Sequence, residues 1–310
     1  MRRRPRRRVL AACAAFALLV AACSGGDDDD TGASATGAPT ATSGGAATAS
    51  TTGADAGSSA PGKTTTTPST TALPSPVPGG RLTVALSSEP NTLDPTATTN
   101  TAAATILGAV TETLMVRDPV TDEVEPGVAQ SLTESADRLS WTLTLRPGVK
   151  FQDGTPLDAD AVKFNLERHK TSFITASFVQ PITAIDVVDP MTVVFRLTAP
   201  WVALPSVLAT NPGIMLSPTA VQAAGSDLSD HLVGTGPYVL TKWDHDVQIN
   251  LDPNPTYWDT AHQPLLGAIV VRAIGDGDSR RSSFEAGDVD CMSVATKDLA
   301  DYRKGRAGTR

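Results

Sequence analysis

From Gly80 onward, apolar and polar residues alternate as half-buried strands require. Leu82, Val84 and Leu86 fall on one face of a predicted strand over 81–87, because successive side chains of a strand point to opposite faces. The same alternation, bounded by turn residues such as Pro147-Gly148, predicts five further strands, at 141–146, 182–188, 193–197, 247–251 and 269–274.

Apolar residues at helical spacing predict helices between these strands. Ile106, Val110 and Leu114 recur at every fourth position of a segment without proline, which predicts a helix over 101–115. Asp158 is expected to cap the next helix. Further helices are predicted at 158–169, 201–209, 218–224 and 279–286. Strands and helices mixed in this order predict an α/β fold with at least two sheets.

The N-terminal segment breaks this pattern. An Arg-rich start and a short apolar run over 9–22 predict a signal peptide at 1–22, since the run is too short to span a bilayer. Val20-Ala21-Ala22-Cys23 resembles a lipoprotein processing site, so Cys23 is expected to carry a lipid anchor. An ordinary secretory signal with an inert Cys23 is the alternative, and the export route, Sec or twin-arginine, stays open.

Residues 23–79 are predicted to form a disordered tether. From Ser24 to Gly79 the chain consists almost entirely of Thr, Ala, Ser, Gly and Pro. Such a segment cannot bury enough apolar surface to offset the entropy that it would lose on ordering. A flexible chain of this length reaches roughly 40 Å, enough to hold a folded domain away from a membrane surface.

Charge excludes one class of partner. The chain has 25 Lys+Arg and 33 Asp+Glu, and six of the arginines lie within the predicted signal peptide. Without these six, 19 basic residues face 33 acidic residues, a net charge of −14. Nucleic-acid binding is therefore not expected, because it depends on clustered basic residues.

Three common catalytic and cofactor motifs are absent from the sequence. It contains no G-x-S-x-G, no G-x-x-x-x-G-K-[ST] and no H-E-x-x-H. No two of its four histidines are three or four residues apart, the spacing that a helical metal site would need. We therefore predict no enzymatic activity, no cofactor and no metal site.

Five stretches in order resemble one family, the extracellular solute-binding proteins of family 5, which serve ABC importers. They are Glu89–Pro95, Trp141–Asn165, Val233–Tyr238, Asn254–Trp258 and Phe284–Asp290. The stretch from Trp141 is similar to the longest motif of the family almost position for position.

The resemblance implies a type II periplasmic-binding-protein fold, in which two α/β lobes close on a ligand by a hinge motion. The first lobe is expected to be largely present, with a core from 80–114 and 212–290 and an inserted subdomain at 115–211. Residues 291–310 would begin the crossing to the second lobe, most of which is expected to be missing. The chain is thus expected to be truncated at its C-terminus.

The implied function is that of a membrane-anchored binding protein that delivers peptides or a similar small solute to ABC permease and ATPase subunits. The alternative is a truncated, non-transporting lipoprotein or a surface interaction module. The resemblance implies that three segments line the ligand cleft, which makes the candidate ligand-binding residues Thr99, Asn100, Thr101, Gly234, Thr235, Gly236, Tyr238, Cys291, Met292 and Ser293. The motif aromatics Trp141, Phe151, Tyr257 and Trp258 are expected to be packing residues.

Overall fold

The structure is a computed structural model that describes residues 77–225, 228 and 231–299. The predicted signal peptide, Cys23, the predicted tether up to residue 76 and residues 300–310 lie outside the described residues.

A five-stranded mixed sheet contains the first predicted strand. Its strands are β1 (Arg81–Leu86), β8 (Tyr238–Asp244), β9 (Gln248–Pro253), β10 (Ala268–Ala273) and β11 (Cys291–Met292). Their order in the sheet is β11-β1-β10-β9-β8, with β1 parallel to β10 and β11, and with β9 antiparallel to both β10 and β8. Leu82, Val84 and Leu86 of β1 are buried, as their alternation predicts.

The remaining strands are β2 (Met115–Arg117), β3 (Val124–Pro126), β4 (Ala129–Glu134), β5 (Ser140–Leu145), β6 (Ile182–Asp189) and β7 (Thr192–Leu197). Four of them form a second sheet, which is antiparallel throughout and has the strand order β4-β5-β7-β6. A short antiparallel pair, β2 with β3, precedes this sheet along the chain. The prediction of at least two sheets is confirmed.

Six α-helices connect these strands in the described part of the chain. They are α1 (Thr101–Val110), α2 (Ala159–Thr171), α3 (Ala176–Val179), α4 (Leu204–Val207), α5 (Pro218–Ala224) and α6 (Gly277–Ala286). The Asp158 carboxylate accepts a hydrogen bond of 2.9 Å from the Ala161 amide and caps α2 as predicted.

Buried side chains form two hydrophobic clusters. The first lies around the five-stranded sheet and α1 and includes Leu82, Ile106, Leu107, Leu251 and Val271. The second lies around the four-stranded sheet and α2 and includes Leu143, Phe151, Leu166, Phe195 and Leu208. Along 214–216, Ile214 and Leu216 join the first cluster and Met215 the second, so this segment runs between them. The division into a discontinuous core and an inserted subdomain stays a proposal.

Two predicted helices are shorter in the structure. The predicted helix 101–115 ends at Val110, because the chain passes from the first cluster to the second, where Leu114 packs. Thr111 takes an extended backbone, and its hydroxyl donates to the Leu107 carbonyl over 2.7 Å. Of the predicted helix 201–209, only α4 is helical. Pro205 lies in its first turn, where the backbone N–H that proline lacks would have no partner within the helix.

Candidate functional site

The strands β1, β10 and β11 end at the same edge of the five-stranded sheet, which we call the carboxyl edge. The Ile274 amide donates to the Leu86 carbonyl over 2.9 Å, and the Ser293 amide donates to the Ala85 carbonyl over 2.8 Å. In open α/β sheets, ligands bind outside the carboxyl ends of the parallel strands. This edge is therefore the first place to look for a ligand site.

Arg280 of α6 organises the backbone at the carboxyl edge. Its Nη1 donates to the carbonyl oxygens of Ile274 and Gly275 over 2.6 and 2.9 Å, and its Nε donates to the Ser293 carbonyl over 3.2 Å. The residue is only 7% exposed. The guanidinium thus joins the chain that leaves β10 to the chain that leaves β11, and it fixes the segment that follows β11.

The candidate residues Thr99, Asn100 and Thr101 lie at the start of α1, and all three are exposed. The Asn100 Oδ1 accepts hydrogen bonds from the amides of Ala102 and Ala103, at 2.7 and 3.3 Å, and so caps the helix. Asn100 therefore has a structural function, while the side chains beside it face solvent.

Cys291 and Met292 form β11, where they pair with Val84 and Ala85 of β1, and both are partly buried. Ser293 follows directly, and its hydroxyl oxygen is buried without a hydrogen-bond partner among the residues that the structure describes. A buried hydroxyl of this kind is a polar group still available for a hydrogen bond. These three candidates thus belong to the carboxyl edge.

Gly234, Thr235, Gly236 and Tyr238 lie elsewhere, at the opposite edge, where β1 and β10 begin. The Tyr238 hydroxyl donates to the Leu266 carbonyl over 3.5 Å, and the neighbouring Gly267 amide donates to the Gly80 carbonyl. All four residues are buried. We call this the amino edge.

Tight packing against the end of α1 explains the two glycines. A Cβ atom at Gly234 would lie 2.4 Å from the Val110 carbonyl oxygen, and one at Gly236 would lie 2.6 Å from the Val110 carbonyl carbon. The Gln152 Nε2 donates to the carbonyl oxygens of Val110, Gly236 and Tyr238, at 3.0, 3.2 and 2.8 Å. These contacts give the segment a packing function.

The structure therefore separates the candidate segments 99–101 and 234–238. Helix α1 has ten residues, which at 1.5 Å per residue separates its start from its end by about 15 Å. Thr99, Asn100 and Thr101 lie at the start of this helix, while the segment 234–238 packs at its end. We retain only the group at the carboxyl edge and the group at the start of α1 for the ligand site proposed below.

Glu89 ties the loop after β1 to the β8–β9 turn. Its carboxylate accepts hydrogen bonds from the Trp243 indole N–H and from the Asp246 amide at 3.0 Å, and it lies 3.3 Å from the His245 Nδ1. Burial raises the pKa of Glu89, but these hydrogen bonds and His245 outweigh it, so the pKa is lowered. The motif containing Glu89 was noticed in the sequence, but its partners some 154 residues away were not.

A second carboxylate, Glu112, binds the motif aromatics. Its two oxygens accept hydrogen bonds from the Tyr257 hydroxyl at 2.8 Å and the Trp258 indole N–H at 2.6 Å. Burial raises the pKa of Glu112 although these donors lower it. Trp141 and Phe151 are buried and Trp258 packs against the second cluster, as predicted, but Tyr257 and Trp258 also have this polar function.

The described ranges, 77–225, 228 and 231–299, contain no group of three or more His, Cys, Asp or Glu residues arranged to hold a metal ion. His169 is buried and pairs with the Thr175 hydroxyl over 2.9 Å, and burial lowers its pKa to about 4. Within the same part of the chain, no helix has the length and apolar character needed to cross a bilayer.

Comparison with known proteins decides the family. The family model described as bacterial extracellular solute-binding proteins, family 5 Middle, matches residues 123–309, which is more than half of the chain. The chain belongs to family 5 of the bacterial extracellular solute-binding proteins. The resemblance drawn from the five sequence motifs is thereby confirmed.

Two curated members of family 5 give the scale of the similarity. The glutathione-binding protein GsiB of Salmonella paratyphi A is 34% identical over 208 residues, which is 66% of this chain and 40% of GsiB. The probable D,D-dipeptide-binding periplasmic protein DdpA of Escherichia coli is 31% identical over 238 residues, 74% of this chain and 46% of DdpA. The chain thus spans less than half the length of these relatives.

A solved family structure supports the fold. The periplasmic binding protein AgaA of A. tumefaciens R10, in complex with agropinic acid, superposes with a TM-score of 0.67 at 29% identity. The match covers 73% of this chain and 46% of AgaA. The predicted α/β fold of the type II periplasmic binding proteins is confirmed, and it covers about half of the neighbour.

Proposed function

We propose that this chain is the ligand-binding component of an ABC importer and that it binds peptides or a similar small solute. The proposal adds that Cys23 carries a lipid anchor, that the Thr- and Ser-rich segment is a tether, and that the ligand is delivered to permease and ATPase subunits outside the cytoplasm. Relatives named for glutathione and D,D-dipeptides support a peptide-like ligand.

One observation carries the proposal: polar groups converge at the carboxyl edge of the five-stranded sheet. Three parallel strands end there, and Arg280 fixes the backbone that follows β10 and β11. The Ser293 hydroxyl is buried there without a partner among the described residues. We propose that a peptide lies across this edge, between the segment 99–101 and the segment 291–293.

Calorimetric titration of the full chain in detergent tests this function. The probes are glutathione, D-alanyl-D-alanine and L-trialanine, with nickel chloride as a ligand of a different class. Thr99→Arg places a bulky charge beside the proposed ligand at an exposed position. We expect it to weaken probe binding at least about tenfold, the effect of losing roughly 1.4 kcal/mol of binding free energy.

Thr142→Arg is the matched control, because Thr142 is an exposed threonine on the four-stranded sheet. It is expected to leave binding unchanged. If none of the probes binds the wild-type chain, the transport function is wrong, and a non-transporting lipoprotein or surface interaction module becomes the better account.

A further inference from the structure

The loop 94–98 leads directly into the segment 99–101. Inside the loop, the Asp94 Oδ1 accepts hydrogen bonds from the Thr96 amide at 2.9 Å and the Thr96 hydroxyl at 2.8 Å. The Asn100 amide donates to the Thr98 hydroxyl over 3.0 Å. The position of the loop therefore sets where α1 begins and where the proposed ligand segment lies.

Three side chains that follow in the sequence bind this loop from outside. The Arg168 Nη2 donates to the second Asp94 oxygen, Oδ2, over 2.6 Å. The Ser172 hydroxyl donates to the Thr96 carbonyl over 2.6 Å. The Asn211 Nδ2 donates to the carbonyls of Pro95 and Thr98, at 3.3 and 2.7 Å.

All three partners come from the side of the second hydrophobic cluster. Arg168 lies in the last turn of α2, between Leu166 of that cluster and the buried His169, and Ser172 caps the same helix. Asn211 begins the short 3₁₀ turn after α4. By contrast, Leu93, directly before the loop, packs in the first cluster. The loop is thus bound to both parts of the fold.

We infer that Arg168, Ser172 and Asn211 are positioning residues for ligand binding, acting through the loop 94–98 on the segment 99–101. This inference rests on the proposed function for its ligand, but the positioning itself is a property of the loop. The two Asp94 oxygens have different functions. Oδ1 accepts hydrogen bonds from Thr96 within the loop, and Oδ2 binds Arg168 and so holds the loop against α2.

Because the two oxygens differ in function, the ion pair can be removed while the turn is kept. Asp94→Asn retains an oxygen for the Thr96 amide and loses the charge that faces Arg168. Arg168→Met removes the same contact from the other side, and Arg168→Lys restores a positive charge near Asp94. The exposed pair of Arg196 and Asp186, joined over 2.8 Å on the four-stranded sheet, supplies the control Arg196→Met.

Hydrogen exchange of the full chain, followed by mass spectrometry of peptides over 94–103, is the first measurement. We expect Asp94→Asn and Arg168→Met to accelerate exchange of the Thr96, Ala97 and Asn100 amides at least about tenfold, with β7 amides unchanged. Arg168→Lys should recover part of the protection, and Arg196→Met should leave 94–103 unchanged. Equal acceleration in β7, or none in 94–103, would overturn the inference.

Ligand binding is the second measurement, using whichever of glutathione, D-alanyl-D-alanine or L-trialanine binds the wild-type chain. Arg168→Met should weaken that binding at least about fivefold, and Arg168→Lys should weaken it less. Unchanged affinity together with accelerated exchange would show that the loop does not position the ligand segment. If no probe binds the wild type, the proposed function fails, and the exchange result still decides whether the loop is held as inferred.

Discussion

Two helices of this protein, α2 and α6, differ in how completely they are packed. Helix α2, beside the four-stranded sheet, buries six of its residues, including Val162, Leu166 and His169. Helix α6, which follows β10 of the five-stranded sheet, buries Arg280 alone. The four-stranded sheet and α2 thus form a closed hydrophobic unit. At the carboxyl edge of the five-stranded sheet, α6 is held instead by a cation and three carbonyl groups, whereas α1 of the same sheet buries seven of its ten residues.

Under the proposed function, this difference separates a part of the fold that supplies stability from the part that is proposed to bind the ligand. The closed unit around the four-stranded sheet includes α2, from which Arg168 reaches the loop 94–98. The carboxyl edge of the five-stranded sheet instead carries polar groups, among them the buried Ser293 hydroxyl and the carbonyl oxygens that Arg280 binds. Ligand sites commonly combine a rigid scaffold with loops of this kind.

The largest effect should come from the closed unit. Phe195→Ala removes a fully buried ring from β7 and is expected to lower the free energy of unfolding by about 3 to 5 kcal/mol. The control Phe284→Ala, on α6 with its residue 41% exposed, should change it by less than about 0.5 kcal/mol. Urea unfolding measures both. Equal losses for the two variants would remove the distinction between the regions.

His169 should make the closed unit sensitive to acid. Its pKa falls from 6.5 to about 4 on folding, so the unfolded chain binds a proton that the folded chain does not. Stability should therefore decline as the pH falls from 6.5 to 4, by about 3 kcal/mol, because each pKa unit corresponds to about 1.4 kcal/mol.

His169→Asn should flatten that decline, whereas His231→Asn, at an exposed position, should preserve it. Urea unfolding at a series of pH values gives the comparison. A pH profile that His169→Asn leaves unaltered would show that His169 is not the source of the acid sensitivity.

Loss of Arg280 should lower the free energy of unfolding by less than loss of Phe195, and its effect on amide exchange should be confined to the carboxyl edge. Arg280→Met removes three hydrogen bonds to carbonyl oxygens and is expected to cost about 2 kcal/mol. Exchange of the Ser293 amide should accelerate most, because the segment after β11 loses its support. Arg281→Met, which breaks an exposed pair with Glu285, is the control. If both variants behave alike, Arg280 has no special function at the carboxyl edge.

The smallest effect concerns Glu112, between the two regions. Because burial raises its pKa above 4.5, its favourable contribution is fully present at low pH and is lost as the pH rises through the raised value. The stability of the wild type relative to Glu112→Gln should therefore fall as the pH rises. Thermal unfolding across pH 4 to 7 follows this; an increase instead would mean that the two aromatic donors outweigh burial.

Local signals predicted many of the elements, but not β4 and β8, which bury only one and two residues. The alternation in β1, the hairpin of β6 and β7 and the Asp158 cap all depend on neighbouring residues, and all were found from sequence. Strand β11 has only two residues, and it forms because Asp290 binds the Thr83 amide from 207 positions away. A contact between residues so far apart in the sequence cannot be predicted from a local pattern.

The candidate site was predicted only in part for the same reason. Sequence motifs gave the segments 99–101, 234–238 and 291–293, but not which of them share an edge. Gly234 and Gly236 pack against Val110, a contact that only the fold creates. Arg280 was missed because a single arginine on a polar helix resembles any solvated residue.

Photo-crosslinking with a peptide probe is the most direct test of where the ligand binds. A tripeptide that carries a benzophenone side chain is bound to the full chain, irradiated, and its attachment points are mapped by mass spectrometry. Our account predicts attachment within 99–101 or 291–293, at the carboxyl edge. Attachment within 234–238, at the amino edge, with none at the other two segments, would contradict it.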